Sequence, residues 1–410
     1  MGKYPDPKLS EEEIISEYLK YVEKCKKKHG DEHYTIAEIL KKNAAWNLII
    51  SGKGNGKSYA MQEYAIFRYL ITGTHKYGML RRFDLDFKGN KGPQMFANQI
   101  CNGYGENNIY EMCKFLGVPI RNSVHYYREC WYLMNTYVEK NKNGDDITVK
   151  KKDEEPFAFA FAMSAYEHIN SVGYPNVYTI HFDEFISNHY LTSEYVNFKK
   201  MVNSIKRRTP NVKIFMTGNT LNYYNPYFKN MGLKHVKEQK IGSIDIYKVG
   251  SKGSKLIAVE RADMHNDNAA AKDSDEYFAF DDPTDRMMTE GEFDIPDYPL
   301  LMMPEDFKIH DYSIFQFYIE WEDLTIRVHI LSLEIPVLYA ESTTDLIPPG
   351  AFVYSDGYKI AYNYRRNLLV PEYPFERTVL NLIAADKLFY DANDTAVAFN
   401  AYLGWCKKEG

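Results

Sequence analysis

The chain has 410 residues, 45% of them apolar and 26% charged, and a net charge of −6. That length exceeds one ordinary hydrophobic core, so two domains are expected, and the composition is that of a globular protein rather than a disordered or fibrous one. No apolar run reaches a membrane span, residues 1–20 are too acidic and polar for a signal peptide, and five cysteines without a C-x-x-C pair predict reduced thiols. The charge is uneven: residues 1–264 carry 39 Lys+Arg against 29 Asp+Glu, and residues 265–410 carry 11 against 27. A basic front half is compatible with a nucleic-acid track, whereas the acidic back half argues against a general grip on polyanions there.

In chain order, Ser10 followed by three glutamates and apolar residues at Ile14, Ile15, Tyr18, Leu19 and Val22 predicts an amphipathic helix. It ends in Lys26-Lys27-Lys28 and Gly30, and a short helix over 35–43 follows. These two read as an appendage, residues 1–44, to what comes next. Residues 45–50 form an apolar strand that runs into Ser51-Gly52-Lys53-Gly54-Asn55-Gly56-Lys57-Ser58, and a helical pattern begins at Tyr59. Strand, glycine turn and helix together are the setting of a P-loop, in which backbone N–H groups and a helix N-terminus surround phosphate oxygens. Lys57 is placed to reach the β- and γ-phosphates of ATP, and the Ser58 hydroxyl to sit on Mg²⁺. Ser51 stands where the usual pattern opens with glycine, so the loop either turns differently or Ser51 tolerates the same backbone angles.

Tyr77–Phe83 reads as a strand ending in paired arginines, and residues 87–116 as mostly helical. Strand-type segments follow at 124–127, 130–137, 146–151 and 157–163, with an Asn-Gly hairpin turn at 143–144. Val177–Phe182 is an apolar strand ending in Asp183 and Glu184. Asp183 can hold Mg²⁺ through water, and Glu184 can polarise a water for attack on the γ-phosphate, which marks a hydrolase. After a helix over 193–205 and the basic run Lys206-Arg207-Arg208, the strand 212–219 ends in Asn219. Asn219 is either a γ-phosphate sensor or a turn residue. An edge hairpin is expected over 240–262. Strands interleaved with helices around a P-loop predict an α/β fold with a largely parallel central sheet over 45–263. Residues 264–303 read as an acidic linker. Residues 304–410 form a smaller α+β unit, with strands at 314–320, 325–332, 336–340 and 358–364 and helices at 374–393 and 395–406.

Five landmarks, Ile49–Met61, Leu80–Phe83, Tyr174–Val177, Phe182–Ile186 and Asn225–Phe228, resemble the DNA-packaging ATPases of small short-tailed bacteriophages, the encapsidation proteins of the Salasviridae-like group. The resemblance implies an ATPase of the additional-strand catalytic-glutamate class. It would work as a homo-oligomeric ring, typically a homopentamer, at the portal vertex of a procapsid in the host cytoplasm, driving double-stranded DNA inward. It also implies an RNase H-like C-terminal domain that has lost its nuclease metal site. By the same resemblance, a trans-acting arginine finger falls on Arg207 or on its neighbour Arg208, while a second trans-acting lysine would fall near Asn170, which is no lysine. The strand 314–320 has no central Asp, so no nuclease activity is expected. Docking of a structural RNA is disfavoured by the acidic back half unless Arg365 and Arg366 form a patch. DNA contacts would come from the basic front half, the candidates being Lys88, Lys91, Lys140, Lys142 and Lys150-Lys151-Lys152. Two other functions fit the motifs: a terminase-like enzyme that still cuts DNA, and an ATP-gated assembly or binding protein that does not translocate.

Overall fold

The computed structural model describes residues 6, 8–30, 34–169, 173–187, 190–191, 193–207, 209–220, 226–249, 255–263, 298–301, 307–321, 324–358, 360 and 362–409. The chain divides into two compact units, Met1–Phe293 and Asp294–Gly410.

The first unit is organised by a ten-stranded sheet. Its central strands are β1 (Trp46–Ser51), β2 (Lys76–Arg81), β6 (Ala158–Ala162), β7 (Val177–Asp183), β8 (Lys213–Asn219) and β10 (Lys255–Arg261). They lie in the order β6-β2-β7-β8-β1-β10, each parallel to its neighbours. These segments are near-continuous apolar runs because both faces of the sheet are covered. On one side, β3 (Ser123–Tyr127), β4 (Cys130–Lys140) and β5 (Asp146–Lys152) extend the sheet in antiparallel fashion. On the other, β9 (Ser243–Val249) closes the edge against β10, as the expected hairpin.

Two apolar cores flank this sheet. One gathers α1 (Glu11–His29), α2 (Ala37–Leu40), α3 (Lys57–Thr72), and the short α4 (Lys91–Gln94), α5 (Ala97–Ile100) and α6 (Asn108–Leu116). The stretch expected to be mostly helical over 87–116 is thus broken into three pieces, with Gly92, Pro93, Gly103 and Gly105 in the interrupted region. The N-terminal helix belongs to this core. Tyr18 and Tyr21 pack their rings on Tyr64 and Phe67 of α3, and the buried Arg68 forms an ion pair with Glu11. The second core lies beneath α7 (Tyr166–Ile169), α8 (Glu194–Ile205) and α9 (Pro226–Met231), through Phe198, Met201, Val202, Ile205, Tyr227 and Phe228.

The second unit carries a six-stranded sheet in the order β15-β14-β11-β12-β13-β16. β12 (Leu324–Leu331) is antiparallel to both β11 (Ser313–Trp321) and β13 (Val337–Ser342); β14 (Phe352–Ser355), β15 (Asn363–Arg365) and β16 (Leu388–Tyr390) join in parallel. Two expectations change here. Of the strand expected at 358–364, the described residues 358, 360 and 362 lie outside any strand and β15 begins only at Asn363, and β14, four residues long after Pro348-Pro349-Gly350, precedes it. The helix expected over 374–393 stops at Ala384, where α11 (Pro374–Ala384) gives way to a left-handed Asp386 and to β16. The other helices of this unit are α10 (Ile309–Tyr312) and α12 (Asn393–Glu409). The segment read as an acidic linker lies outside the described residues apart from 298–301, of which Leu300 bridges to Tyr390.

Candidate functional site

Parallel strands end on one edge of their sheet, and the C-terminal tips of β1, β2, β7 and β8 bring the polar residues of the first unit together. Ser51, the last residue of β1, lies opposite Asn219, the last residue of β8. The turn that follows uses left-handed backbone at Gly54 (φ 87°) and Gly56 (φ 81°), angles that a side chain would oppose. Ser51 has no left-handed backbone. The place usually taken by glycine is therefore an ordinary strand end here, and its side chain is used: Ser51 Oγ accepts from Lys57 Nζ at 2.7 Å and from Asn55 Nδ2 at 3.1 Å. Asn55 also donates to the Asp263 carbonyl at 3.0 Å, which ties the loop to the end of β10.

Lys57 opens α3 and is buried. Its ammonium also donates to the carbonyls of Ser51 (3.3 Å) and Gly52 (2.8 Å) and to Asn219 Oδ1 (3.1 Å). Burial pushes the Lys57 pKa down to about 7, against the pull of the Asp183 and Glu184 carboxylates. Asn219 therefore points at the loop lysine.

Ser58 Oγ donates to Asp183 Oδ1 at 2.7 Å, and Thr217 Oγ1 donates to the same oxygen at 2.8 Å. The other carboxylate oxygen takes the Arg81 guanidinium from the tip of β2. Burial of Asp183 would raise its pKa, but His181, Arg81 and the two hydroxyls outweigh it and hold the carboxyl at about 2. Behind it runs a buried chain: His181 Nε2 meets Thr217 Oγ1 at 2.7 Å, and His181 Nδ1 meets the Tyr77 hydroxyl. Burial pushes the imidazole down to about 4, so it is neutral at neutral pH.

Glu184 differs in every respect. Its side chain is 60% exposed, and its backbone is left-handed at φ 60°. A non-glycine residue in that region is costly and persists only where its surroundings fix it. Arg82 supplies that fixation, donating to the carbonyls of Glu184 (3.1 Å) and Phe185 (3.0 Å) while bound at 2.9 Å through two nitrogens to the buried Glu194 carboxylate. Tyr227 donates to Glu194 from α9. Gly218 completes the fit, because a Cβ there would come within 2.9 Å of both Phe185 and Ile186. The outer face of Glu184 meets Arg81 at 3.4 Å.

The structure thus gathers Ser51, Gly52, Lys57, Ser58, Asp183 and Asn219 by direct contact, with Glu184 beside them, whereas Lys53 is exposed on the loop. Arg207 lies apart, exposed beyond the end of α8 and without an ion pair among the described residues. Arg208, Asn170 and Asn225 fall outside the described residues. His181, Thr217 and Glu194 had no role in the sequence reading, and Arg81 and Arg82 were noted there as a pair without a chemical role. The signal was present as polar side chains inside otherwise apolar strands, His181 in β7 and Thr217 in β8. A hydroxyl and a carboxylate within hydrogen-bond reach form an all-oxygen donor set, the kind Mg²⁺ takes, so Ser58 and Asp183 fit that ion.

Residues 129–249 match the family model of the podovirus DNA encapsidation protein Gp16. The DNA packaging protein of Bacillus phage phi29 is 24% identical over 203 residues, 48% of this chain and 48% of that protein. The DNA packaging protein of Bacillus phage B103 is 24% identical over 249 residues, 56% of this chain and 65% of that protein. The chain spans about half the length of the phi29 relative it matches. Among solved structures, a chain of the bacteriophage Phi-29 viral genome packaging motor assembly superposes with a TM-score of 0.53 at 18% identity, over 93% of this chain and all of that one. The matched family model and relatives are of the kind that the five landmarks resemble, and the fold of the motor-assembly chain is shared along nearly the whole chain.

Proposed function

We propose that this chain is the ATP-hydrolysing subunit of a viral DNA-packaging motor. The observation that carries the reading is the convergence of Lys57, Ser58, Asp183, Glu184 and Asn219 on one sheet edge. Lys57, with about half its charge lost at neutral pH, gains it fully when its present oxygen partners are exchanged for phosphate oxygens. Ser58 and Asp183 would hold Mg²⁺, whose charge neutralises phosphate oxygens as the bond to the leaving group breaks. Glu184, aimed outward by its left-handed backbone, accepts a proton from a water at the γ-phosphate, and Asn219 ties that phosphate's state to Lys57. Arg207, exposed and uncommitted, would reach the active site of a neighbouring subunit in the ring and stabilise charge there.

The partners proposed are double-stranded DNA, further copies of this chain in a ring of five, and the portal of a procapsid. Among the described helices none is long and apolar enough to cross a membrane. The second unit is read as RNase H-like and inactive. Support for the first part is the strand order β13-β12-β11-β14-β15, three antiparallel strands followed by two parallel ones. Support for the second is that β11, Ser313–Trp321, has no Asp in its middle. Arg365 is spent on Glu372 and Glu376, which weakens the case for an RNA patch.

The test is ATP turnover by the purified chain with and without duplex DNA. The motor reading expects turnover that DNA raises; turnover indifferent to DNA leaves an ATP-gated assembly protein instead. Mixing Arg207→Ala with Glu184→Gln subunits should restore activity where an intact finger faces an intact site. If no mixture recovers, Arg207 does not act in trans.

A further inference from the structure

We infer that the antiparallel extension β3-β4-β5 presents one DNA-contacting face, and that the lysines of this hairpin are divided between two faces rather than acting as one basic run. The inference rests on the motor reading, since it names where the duplex of that reading lies.

Side chains alternate across a strand, so the pairing register sorts this region completely. Met134 lies opposite Lys152, Thr136 opposite Lys150, and Lys140 opposite Asp146. Ser123 pairs with Met134, His125 with Tyr132, and Tyr127 with Cys130. Lys140, Lys150, Lys152, Tyr132, His125 and Tyr127 therefore share one face. Lys151 shares the opposite one with Tyr137 and Glu139, on the side where Trp131 and Leu133 enter the core. Ring contacts agree with this sorting: Lys152 lies 4.1 Å over Tyr132, and Lys151 lies 5.4 Å over Tyr137. Arg128, in the β3–β4 turn, sits over the exposed Tyr127 ring at 5.1 Å.

Charge is what selects the occupant. Lys140, Lys150, Lys152 and Arg128 have no carboxylate partner among the described residues, and the acid that the register sets on their face is Asp146, across from Lys140, with Glu129 in the turn and Asp153, which follows Lys152, paired with Arg121. Of the other candidates, Lys88 pairs with Asp84 and Lys91 with Asp86 at 3.9 Å, and Lys142 lies in the turn between β4 and β5, outside both strands. From Tyr132 to Lys140 the strand runs about 27 Å, at roughly 3.4 Å per residue, enough to follow about eight base pairs of duplex. Lysine ammoniums along such a line suit phosphates read without regard to sequence. Tyr132 and Tyr127 hold the cation stems against the sheet.

The experiment is a salt titration of binding to a blunt duplex of about 30 base pairs, using the full chain. The expected result for the triple variant Lys140→Ala, Lys150→Ala, Lys152→Ala is a log K against log salt slope shallower by about 2 to 3, as for the loss of about three phosphate contacts. Lys151→Ala should leave the slope unchanged, and the melting temperatures of both variants confirm that they fold. An unaltered slope in the triple variant, or an equal loss per lysine in Lys151→Ala, overturns the one-face assignment while leaving the motor reading in place. Absence of salt-dependent binding by the unmodified chain would instead remove the motor reading, and this inference with it.

Discussion

The two sheets of this chain handle charge in opposite ways. In the first, four neighbouring parallel strands end on the same edge, and their last residues meet there: Ser51 and Asn219 share the Lys57 ammonium, and Asp183 takes Arg81. In the second, only β12 runs against the rest, and the five strands that share one direction end in Trp321, Ser342, Ser355, Arg365 and Tyr390, with one charged residue among them. Its charged groups are spent in separate places: Arg327 on Glu341 and Asp345, and Arg365 on Glu372 and Glu376. The lesson is that strand direction and the residues at the strand ends act together. Parallel order concentrates strand ends and so can assemble a phosphate site from four separate segments, but only where those ends carry polar side chains that meet, as in the first sheet and not in the second.

The strongest way to break this contrast is to remove one tip. Asp183→Ala should lower magnesium-dependent ATP turnover by about 10³-fold or more, read as phosphate release, because the hydroxyl of Ser58 alone does not place the ion. Arg81→Ala tests the same tip through stability. It leaves the buried Asp183 carboxylate without its cation, which should cost about 3 kcal/mol and lower the melting temperature by roughly 6–10 °C. Added magnesium and ADP should recover part of that loss, since the ion replaces the missing charge.

A smaller effect concerns Lys57. Its pKa is lowered to about 7, so at pH 8 about nine in ten lysines are neutral, and a bound phosphate raises the pKa again. Nucleotide binding should therefore take up close to ~0.9 proton at pH 8 and little at pH 6, measured by calorimetry in buffers of different ionisation enthalpy. The smallest effect is expected from the second sheet: with its carboxylates dispersed, divalent metal should produce no nicking of plasmid DNA. Metal-dependent cleavage would restore the terminase-like alternative.

Much of the first sheet was legible because its signals are local. A glycine turn between strand and helix, and two carboxylates at a strand end, declare themselves within a dozen residues. The helix, strand and hairpin at 193–205, 212–219 and 240–262 followed from periodicity alone. What escaped was non-local. Arg81 and Arg82 stood out as a pair, but one serves Asp183 and the other the backbone of Glu184, and only the β2–β7 register separates those tasks. Thr217 and His181 matter because β7 and β8 pair side by side, which no spacing along the chain reveals. In the second unit β14 and β16, four and three residues long, are too short for alternation to register. The division of the hairpin lysines likewise needed the register of β4 against β5.

The most direct test is rapid-quench measurement of ATP cleavage by Glu184→Gln in the presence of magnesium. The carboxamide keeps the shape and the Arg82-bound backbone but cannot accept the proton, so nucleotide should still bind while cleavage within a single turnover falls by about 10³-fold. Cleavage at the rate of the unmodified chain would contradict the assignment of Glu184 as the base, and with it the claim that this sheet edge performs the chemistry.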